Sequence, residues 1–256
     1  MIRIILLCFT LTIISSCERN SDRKKLTGLD SLWTFKIIKI NDTSDCAVHY
    51  HKGKIHDSIF RIKGQKNGWT YVFSEESGKI LIQSHFKNDK KQGWEQLQDE
   101  NGIVISKTFY YNDKLFGSNY SYYHDYRKQV KNYNCYDFQE NNRRVKVYDT
   151  FGRVLQNEGL IIGQVGLSSR DSNYKIGHDV FFDFVVSTAP NEKVKAFILE
   201  DNKLIEYPFS QNFMFFRKKY HKAGRHIIYA IGKSIDTATN TSLTDTQKVV
   251  FDIIDR

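Results

Sequence analysis

The chain has 256 residues, and 38 Lys and Arg against 29 Asp and Glu give it a formal net charge of +9. This length leaves room for one large domain or two modest ones, and four cysteines are too few for a disulfide-rich fold. Prolines number only 2, while 15 Tyr and 18 Phe supply most of the aromatic residues, which favours strands over helices. The basic balance favours anionic partners such as lipid headgroups, acidic glycans or acidic proteins.

The N-terminus has the three-part layout of a secretory signal. Arg3 supplies a positive start, an apolar run follows over 4–14, and the segment 14–17, which reads Ile-Ser-Ser-Cys, closes it. The run is too short to span a bilayer, which needs ~20 apolar residues. Its last four residues resemble the lipobox of bacterial lipoproteins, which implies cleavage before Cys17 and acylation of that cysteine. The alternative is a plain secretory signal with an incidental cysteine.

A lipid on Cys17 would make this cysteine the first residue of the mature chain. We predict a signal peptide over 1–16 and, over 17–30, the lipidated cysteine with a polar tether. The sequence from Glu18 to Lys25 is entirely polar and cannot bury enough apolar surface to offset the entropy of ordering. We therefore expect a lipid-anchored protein of the cell envelope, with the outer membrane as the favoured location, on its periplasmic or its surface face.

The segment between 47 and 159 repeats at a period near 24 residues. The recurrent motifs are Gly68-Trp69 with Gly93-Trp94, Gly78 with Gly102, and Asn88-Asp89-Lys90 with Asn112-Asp113-Lys114. Each unit joins two strands through turns rich in Asn, Asp and Gly. Asn101-Gly102 predicts a type I′ hairpin turn, in which both central residues need positive φ. Because stacked hairpins share ladders and a face, we predict an elongated antiparallel sheet of repeated hairpins over 31–160.

The repeat resembles the MORN-variant repeats of bacterial proteins. Gly93–Gly102, which reads Gly-Trp-Glu-Gln-Leu-Gln-Asp-Glu-Asn-Gly, is similar to their Gly-aromatic strand and turn, and Phe109–Gly117 is similar to their second strand. Here Asp89 and Asp113 stand where the family has a turn glycine, and Tyr126 replaces that glycine in the third unit. The resemblance implies a scaffold or interaction surface without an active site, and some bacterial members are antitoxins.

Cys46 and Cys135 are the two cysteines left to pair once the signal is removed and Cys17 carries lipid. Each two-strand unit advances ~9–10 Å along a sheet, so a linear stack would separate these cysteines by roughly 35 Å. The Cα atoms of a disulfide lie within ~7 Å of each other. We therefore predict no disulfide between them.

From about Gly163 the period is lost and a different strand pattern begins. The candidate strands are Gln164–Ser168, Asp179–Ser187, Lys193–Leu199, Leu204–Tyr207, Phe213–Lys219, Arg225–Ile231 and Val249–Ile254. Seven short strands separated by turn signals are typical of a β-sandwich. The segment Tyr220–Gly232 resembles the penultimate strand of immunoglobulin-like modules, although the sequence has no Cys–Trp–Cys core signature. We predict an all-β fold, in which an immunoglobulin-like sandwich over 161–256 follows the hairpin sheet.

A cationic cluster in the C-terminal part of the chain is one candidate binding site. It consists of Arg217, Lys218, Lys219, Lys222 and Arg225. Cations next to aromatic rings suit an acidic glycan or a lipid phosphate. The alternative is a solvated hairpin whose charges protect an edge strand.

Aromatic residues of the repeat are a second candidate site, and the residues singled out are Trp69, Trp94, Tyr110 and Tyr122. A single-layer sheet has two faces and too little core to hide all of its large rings. An uncovered row of rings would suit a protein or carbohydrate partner. The alternative is cross-strand stacking that holds the sheet together.

The densest group of metal-ligand residue types is Cys46, His49, His51 and His56. On a strand, His49 and His51 would share a face. The spacing of the group matches no known zinc module, and neighbouring lysines repel a cation. We therefore predict ordinary sheet histidines, with no metal and no cofactor.

The sequence contains none of the common catalytic motifs, namely a nucleophile elbow, a zinc-protease helix, a phosphate-binding loop and a dinucleotide fingerprint. We predict a non-catalytic lipoprotein that binds or scaffolds an envelope protein or glycan, with no nucleic-acid partner. The first alternative is an antitoxin-like or immunity-like inhibitor that uses the repeat sheet. The second is an enzyme acting on envelope glycans, because paired carboxylates can come from distant strands.

Overall fold

The structure is a computed structural model that describes residues 32–125, 128–167, 174–210 and 212–255, with the backbone alone over 164–167. The predicted signal, Cys17, the tether and Tyr126 lie outside the described residues. Within the described ranges, every regular element is a β-strand. The predicted all-β class is confirmed.

Eleven strands form one antiparallel sheet in which each strand pairs with its neighbours in the sequence. They are β1 (Trp33–Lys39), β2 (Ser44–His51), β3 (Lys54–Ile62), β4 (Gln65–Phe73), β5 (Ile80–Lys87), β6 (Lys90–Gln98), β7 (Val104–Tyr111), β8 (Lys114–Tyr122), β9 (Val130–Tyr136), β10 (Asn142–Tyr148) and β11 (Val154–Gly159). This is the predicted sheet of repeated hairpins. It begins before position 47, where the sequence repeat becomes visible. The first hairpin turns at Asn41, whose side-chain oxygen accepts hydrogen bonds from the backbone N–H groups of Thr43 and Ser44.

Two-residue turns along one edge of the sheet explain the aspartates of the repeat. Asn88 and Asp89 have φ angles of 51° and 64°, and Asn112 and Asp113 have 51° and 68°, as a type I′ turn requires. The carboxylate of Asp89 accepts a hydrogen bond of 2.7 Å from the backbone N–H of Lys66, in the preceding hairpin. A glycine would adopt these angles more easily but has no side chain to make this bond. Aspartate therefore connects successive hairpins.

The turns on the opposite edge are wider, and the type I′ prediction for Asn101-Gly102 is wrong. Of these two residues, Gly102 has a positive φ, at 82°, and Asn101 does not. Asp99 organises the turn, because its Oδ1 accepts hydrogen bonds from the backbone N–H groups of Asn101, at 2.9 Å, and Ile103, at 2.7 Å. Such side-chain bonds stabilise a turn without two residues in the left-handed region.

Alternation along the strands gives the large sheet two different faces. One carries large rings and is called the aromatic face; its cross-strand pairs include Trp69 with His85, Trp94 with Phe109, and Tyr120 with Tyr133. The other is called the polar face; a row of it crosses six adjacent strands as Thr70, Ser84, Glu95, Thr108, Asn119 and Asn134. Side-chain hydrogen bonds join members of this row, as between Ser84 and Glu95 at 2.6 Å. The two faces therefore present different chemistry.

The Gly-Trp pairs of the repeat mark β-bulges. Gly68 and Gly93 have φ angles of 116° and 109°, which favour glycine, and the strand register shifts opposite both of them. A Cβ atom on Gly68 would lie 2.9 Å from Cδ1 of Phe60, on the preceding strand. Glycine therefore lets a large ring lie against the backbone at this bulge, and the following tryptophan lies on the aromatic face.

Eight further strands form two sheets that pack face to face. They are β12 (Ile162–Leu167), β13 (Tyr174–Lys175), β14 (Asp179–Val186), β15 (Glu192–Glu200), β16 (Lys203–Tyr207), β17 (Phe213–Lys219), β18 (Gly224–Asp236) and β19 (Ser242–Ile254). The strand orders are β12-β14-β17 and β13-β19-β18-β15-β16. Both sheets contribute to one core that includes Phe182, Phe184, Ile198, Ile228 and Phe251. The C-terminal part is thus a β-sandwich, and its immunoglobulin-like assignment stays a prediction.

The last two strands are longer than the sequence pattern indicated. Each has 13 residues, whereas the predictions covered Arg225–Ile231 and Val249–Ile254. The added parts, over 232–236 and 242–248, contain two each of Ser, Lys, Asp and Thr. β18 and β19 pair with each other along the whole hairpin, from Gly224 to Ile235 on β18. This pairing outweighs the weak strand propensity of the Lys, Asp and Gly residues in the added parts.

The sandwich packs on the aromatic face at the C-terminal end of the large sheet. One cluster of buried side chains contains Phe116 and Tyr133 of the sheet together with Val185 and Ala189 of the sandwich. The hydroxyl groups of Tyr133 and Ser187 share a hydrogen bond of 2.9 Å across the contact. The rings at this end of the sheet are therefore covered by the sandwich.

Four charged side chains of balanced sign lie in the same contact. Arg144 of β10 donates two hydrogen bonds of 2.6 and 2.8 Å to the carboxylate of Glu192, and both side chains are 1% exposed. Lys146 donates to Glu192 at 3.1 Å and to Asp236 at 2.6 Å. Each buried charge therefore has an opposite partner, which offsets the cost of removing it from water. This network fixes the sandwich against β10.

Cys46 lies on β2 and Cys135 on β9, seven strands apart in the sheet. At ~4.8 Å between neighbouring strands, this is roughly 34 Å. The predicted separation holds, and the distance is far beyond the reach of a disulfide.

Candidate functional site

A groove opens where the sandwich stops covering the aromatic face. Its volume is about 490 Å³, and we call it the junction groove. Strands β4 to β8 supply its floor, and the sandwich supplies one wall. The lining residues are Trp69, His85, Gln92, Gly93, Trp94, Phe109, Tyr111, Phe116, Ser210 and Phe213.

The two tryptophans of the floor are held by neighbouring rings. The ring centre of Trp94 is 5.3 Å from that of Phe109, edge to face, and 5.9 Å from that of Tyr120. Trp69 meets His85 edge to face at 5.1 Å. Edge-to-face pairs at this separation are favourable, so both indoles have defined orientations before any ligand binds. Both remain half-buried rather than enclosed.

Phe213 forms the apolar part of the wall. Its ring centre lies 6.2 Å from that of Phe116 and 5.8 Å from that of Phe138, both on the sheet side of the groove. Asn212 anchors this segment, since its Nδ2 donates to the Val186 carbonyl at 2.7 Å and its Oδ1 accepts from the Ser118 hydroxyl at 2.8 Å. The wall is therefore fixed to both parts of the protein.

The groove has polar groups but no formal charge among its lining side chains. His85 Nδ1 lies 2.8 Å from the carbonyl oxygen of Gln92, and a carbonyl only accepts, so Nδ1 carries the proton. In the neutral ring, Nε2 is then a hydrogen-bond acceptor. The amide of Gln92 and the hydroxyls of Tyr111 and Ser210 add donors and acceptors. The site therefore suits a ligand with apolar faces and polar edges.

Tyrosines on the covered side of the aromatic face remain protonated. Burial raises the pKa of Tyr120 and of Tyr122, because removal from water disfavours the charged phenolate. Burial likewise places the pKa of Tyr133 well above its ordinary value. These hydroxyls are therefore neutral hydrogen-bonding groups at physiological pH.

Three of the four predicted aromatic residues lie on one face. Trp69 and Trp94 line the junction groove, and Tyr122 stacks on Tyr120 at 6.4 Å farther along the same face. Tyr110 lies on the polar face, where Lys91 is 4.7 Å from its ring centre. Tyr110 is adjacent to Phe109 in the sequence, and neighbouring residues of a strand point to opposite faces. The grouping of Tyr110 with the other three is therefore wrong. The alternative interpretation, in which rings on neighbouring strands stack and hold the sheet together, also describes contacts that are present.

The predicted cationic cluster is divided between two sides of β17. Arg217 is exposed and lies 3.9 Å from the carboxylate of Asp179, whereas Lys218 faces the other side and forms an ion pair with Glu200. The remaining members, Lys219, Lys222 and Arg225, are exposed. β17 is an edge strand, which is the setting that the alternative interpretation named. The five cations therefore do not form one surface.

The predicted histidine group pairs with carboxylates. His49 Nδ1 lies 2.5 Å from Asp57, and His51 Nδ1 lies 2.6 Å from Glu75. Cys46 lies three residues before His49 on the same strand and therefore faces the other side of the sheet. In the described part of the chain, no group of three or more Cys, His, Asp and Glu side chains is arranged to hold a metal ion.

The sequence did not indicate that Phe116, Tyr111 and Phe213 would line the site. The contact between Ser118 and Asn212 spans 94 residues of chain, and no local pattern encodes such a distance. One feature of the sequence could have pointed to Phe213. Phe213 and Phe215 are two residues apart, so alternation places both on one side of β17.

The chain matches no protein-family model and no curated protein. Among the residues that the structure describes, there is no helix long and apolar enough to cross a membrane.

Proposed function

We propose that this protein is a lipid-anchored, non-catalytic binding module of the bacterial cell envelope. The N-terminal lipobox supports anchoring through Cys17, and the MORN-like repeat supports a scaffolding sheet. The junction groove supports the binding role, because large grooves lined by rings with a few polar groups are typical ligand sites. This groove is the observation on which the proposal chiefly rests.

The composition of the groove favours binding over catalysis. Its lining includes no carboxylate of the kind that glycosidases use in pairs, and no cysteine. The rings, by contrast, are held in place by one another, and such preorganisation lowers the cost of binding.

Affinity capture from crosslinked envelopes tests this proposal. The baits are the wild-type chain, the double variant Trp69→Ala/Tyr111→Ala, and Phe151→Ala. Phe151 is the matched control, since it is an exposed aromatic residue at 77% and does not line the groove. We expect wild type and Phe151→Ala to retain the same envelope component and the double variant to lose most of it. Capture that is absent, or equal for all three baits, would refute the proposal.

Membrane fractionation tests the lipid anchor, and affinity capture also tests the inhibitor alternative. A Cys17→Ser chain should leave the membrane fraction, and its retention there would contradict the lipid anchor. The antitoxin-like alternative would use the polar face, which lies opposite the sandwich. Capture of one soluble protein that is lost with Tyr110→Ala but retained with the groove variant would support that alternative instead.

A further inference from the structure

The junction groove is lined without Lys, Arg, Asp or Glu, in a chain of which 26% of the residues are of these types. Its ten lining residues are aromatic or neutral polar residues, His85 and one glycine. A site for an acidic ligand would place a cation at hydrogen-bond distance from it, because burying an unpaired anion is costly. The lack of charge therefore favours a ligand that is itself neutral.

The backbone beneath the groove is already fully used by the sheet. Strands β4 to β8 each pair with a neighbour on both sides. A peptide laid across them would find no free ladder of N–H and C=O groups, and its own backbone would lose hydrogen bonds to water. A ligand whose polarity lies in hydroxyl groups at its edges does not carry this cost to the same extent.

We propose that the junction groove binds an uncharged oligosaccharide, an inference that rests on the binding role proposed above. A sugar ring has apolar C–H faces that can pack on the indoles of Trp69 and Trp94. Its hydroxyls can donate to His85 Nε2 and bond with the amide of Gln92 and the hydroxyl of Ser210. These groups, together with the hydroxyl of Tyr111, are the polar part of the lining.

The row of rings continues beyond the groove, which indicates a chain of several sugars. The ring centres of Phe213 and Phe215 are 6.5 Å apart and stacked, and those of Phe215 and Phe181 are 5.8 Å apart. Phe215 is 46% exposed on the outer side of β17. The platform therefore runs from the large sheet onto the sandwich, and a longer oligosaccharide contacts more of it than a monosaccharide does.

Calorimetric titration of the soluble full-length mature chain tests this inference. The probes are uncharged hexamers of N-acetylglucosamine and of glucose, with a hexamer of galacturonic acid as the anionic comparison. We expect saturable binding of at least one uncharged hexamer, with little dependence on salt because no ion pair forms. Trp69→Ala should weaken binding about tenfold, the size of one lost ring contact with its buried area. Phe151→Ala should bind as wild type does.

Two results would overturn the inference. One is saturable binding to neither uncharged hexamer, and the other is a preference for the anionic hexamer that fades with salt. If the groove variant still loses an envelope protein in the capture experiment while no sugar binds, the binding role stands and the ligand is a protein. If capture and titration both fail, the proposed function fails with the ligand.

Discussion

At the scale of single residues, Cys135 shows how completely the sandwich covers the end of the sheet. Its side chain is fully buried in the cluster that both parts of the protein share. Burial raises the pKa of the thiol to about 12, outweighing the opposite effects of hydrogen bonds from Tyr133 and Ser187 and of the Arg144 charge. A thiol in this setting is both shielded and almost entirely protonated.

We therefore predict that Cys135 does not react with iodoacetamide at pH 8 while the protein is folded. The thiolate is the reactive form, and a pKa raised to about 12 leaves very little of it at that pH. In denaturant without reductant, both Cys135 and Cys46 should react, because they form no disulfide with each other. Peptide mass spectrometry measures both results. Rapid labelling of Cys135 in the folded state would mean that the sandwich does not pack on β9 as described.

At the scale of secondary-structure elements, the hairpin turns carry bonds between repeats as well as within them. The Asp113 carboxylate accepts the backbone N–H of Lys91 at 2.7 Å, and the Asp113 N–H donates to the Lys91 carbonyl at 3.0 Å. Asp89 makes the same pair of bonds to Lys66, one hairpin earlier. The turn aspartate thus links neighbouring units of a sheet that otherwise depends on strand pairing.

Asp113→Ala should lower the free energy of unfolding by about 1–2 kcal/mol, from the lost hydrogen bond and the strain of alanine at positive φ. Asp113→Asn is the matched control, because its amide oxygen still accepts from Lys91 and asparagine tolerates the left-handed region. Urea denaturation of both variants measures the difference. Equal midpoints for the two would show that the side-chain bond contributes nothing.

The local features of these elements were predictable from the sequence, and the long-range ones were not. The period near 24 residues and the Asn-Asp turns gave the hairpin sheet, because turn chemistry acts between neighbouring residues. The wider turn at Asp99 was missed, since Asn-Gly fits both turn types. The junction groove was missed in part because Ser118 of β8 meets Asn212, which precedes β17, across 94 residues of chain. Tyr110 was misplaced because a bulged strand of adjacent aromatic residues leaves its face ambiguous.

At the scale of the whole molecule, an ion network joins the large sheet to the sandwich, which forms one wall of the groove. Arg144 and Lys146 belong to the sheet, whereas Glu192 and Asp236 belong to the sandwich. All four lie next to the apolar cluster that contains Tyr148. Charged groups in this position bond only when the two parts are correctly aligned, so the network specifies one alignment.

Glu192→Ala should therefore destabilise the protein by about 3–5 kcal/mol, because it leaves two buried cations with a single carboxylate. Glu206→Ala is the comparison, since Glu206 pairs with Lys195 at 3.0 Å with both side chains more than half exposed. Exposed pairs of that kind contribute about 0–1 kcal/mol. Urea denaturation measures both variants. Similar losses for the two would contradict the buried character of the network.

The position of β1 has a mechanical consequence. β1 is the outermost strand of the large sheet, and β11, after which the chain continues into the sandwich, is ten strand spacings or roughly 48 Å away. If the N-terminus is anchored in a membrane as proposed, a pull on it would load the hydrogen bonds between β1 and β2 first. Hairpins that contact mainly their neighbours can then detach in sequence. We expect β1 to β3 to detach under tension before the groove is disturbed, because the floor of the groove begins only at β4.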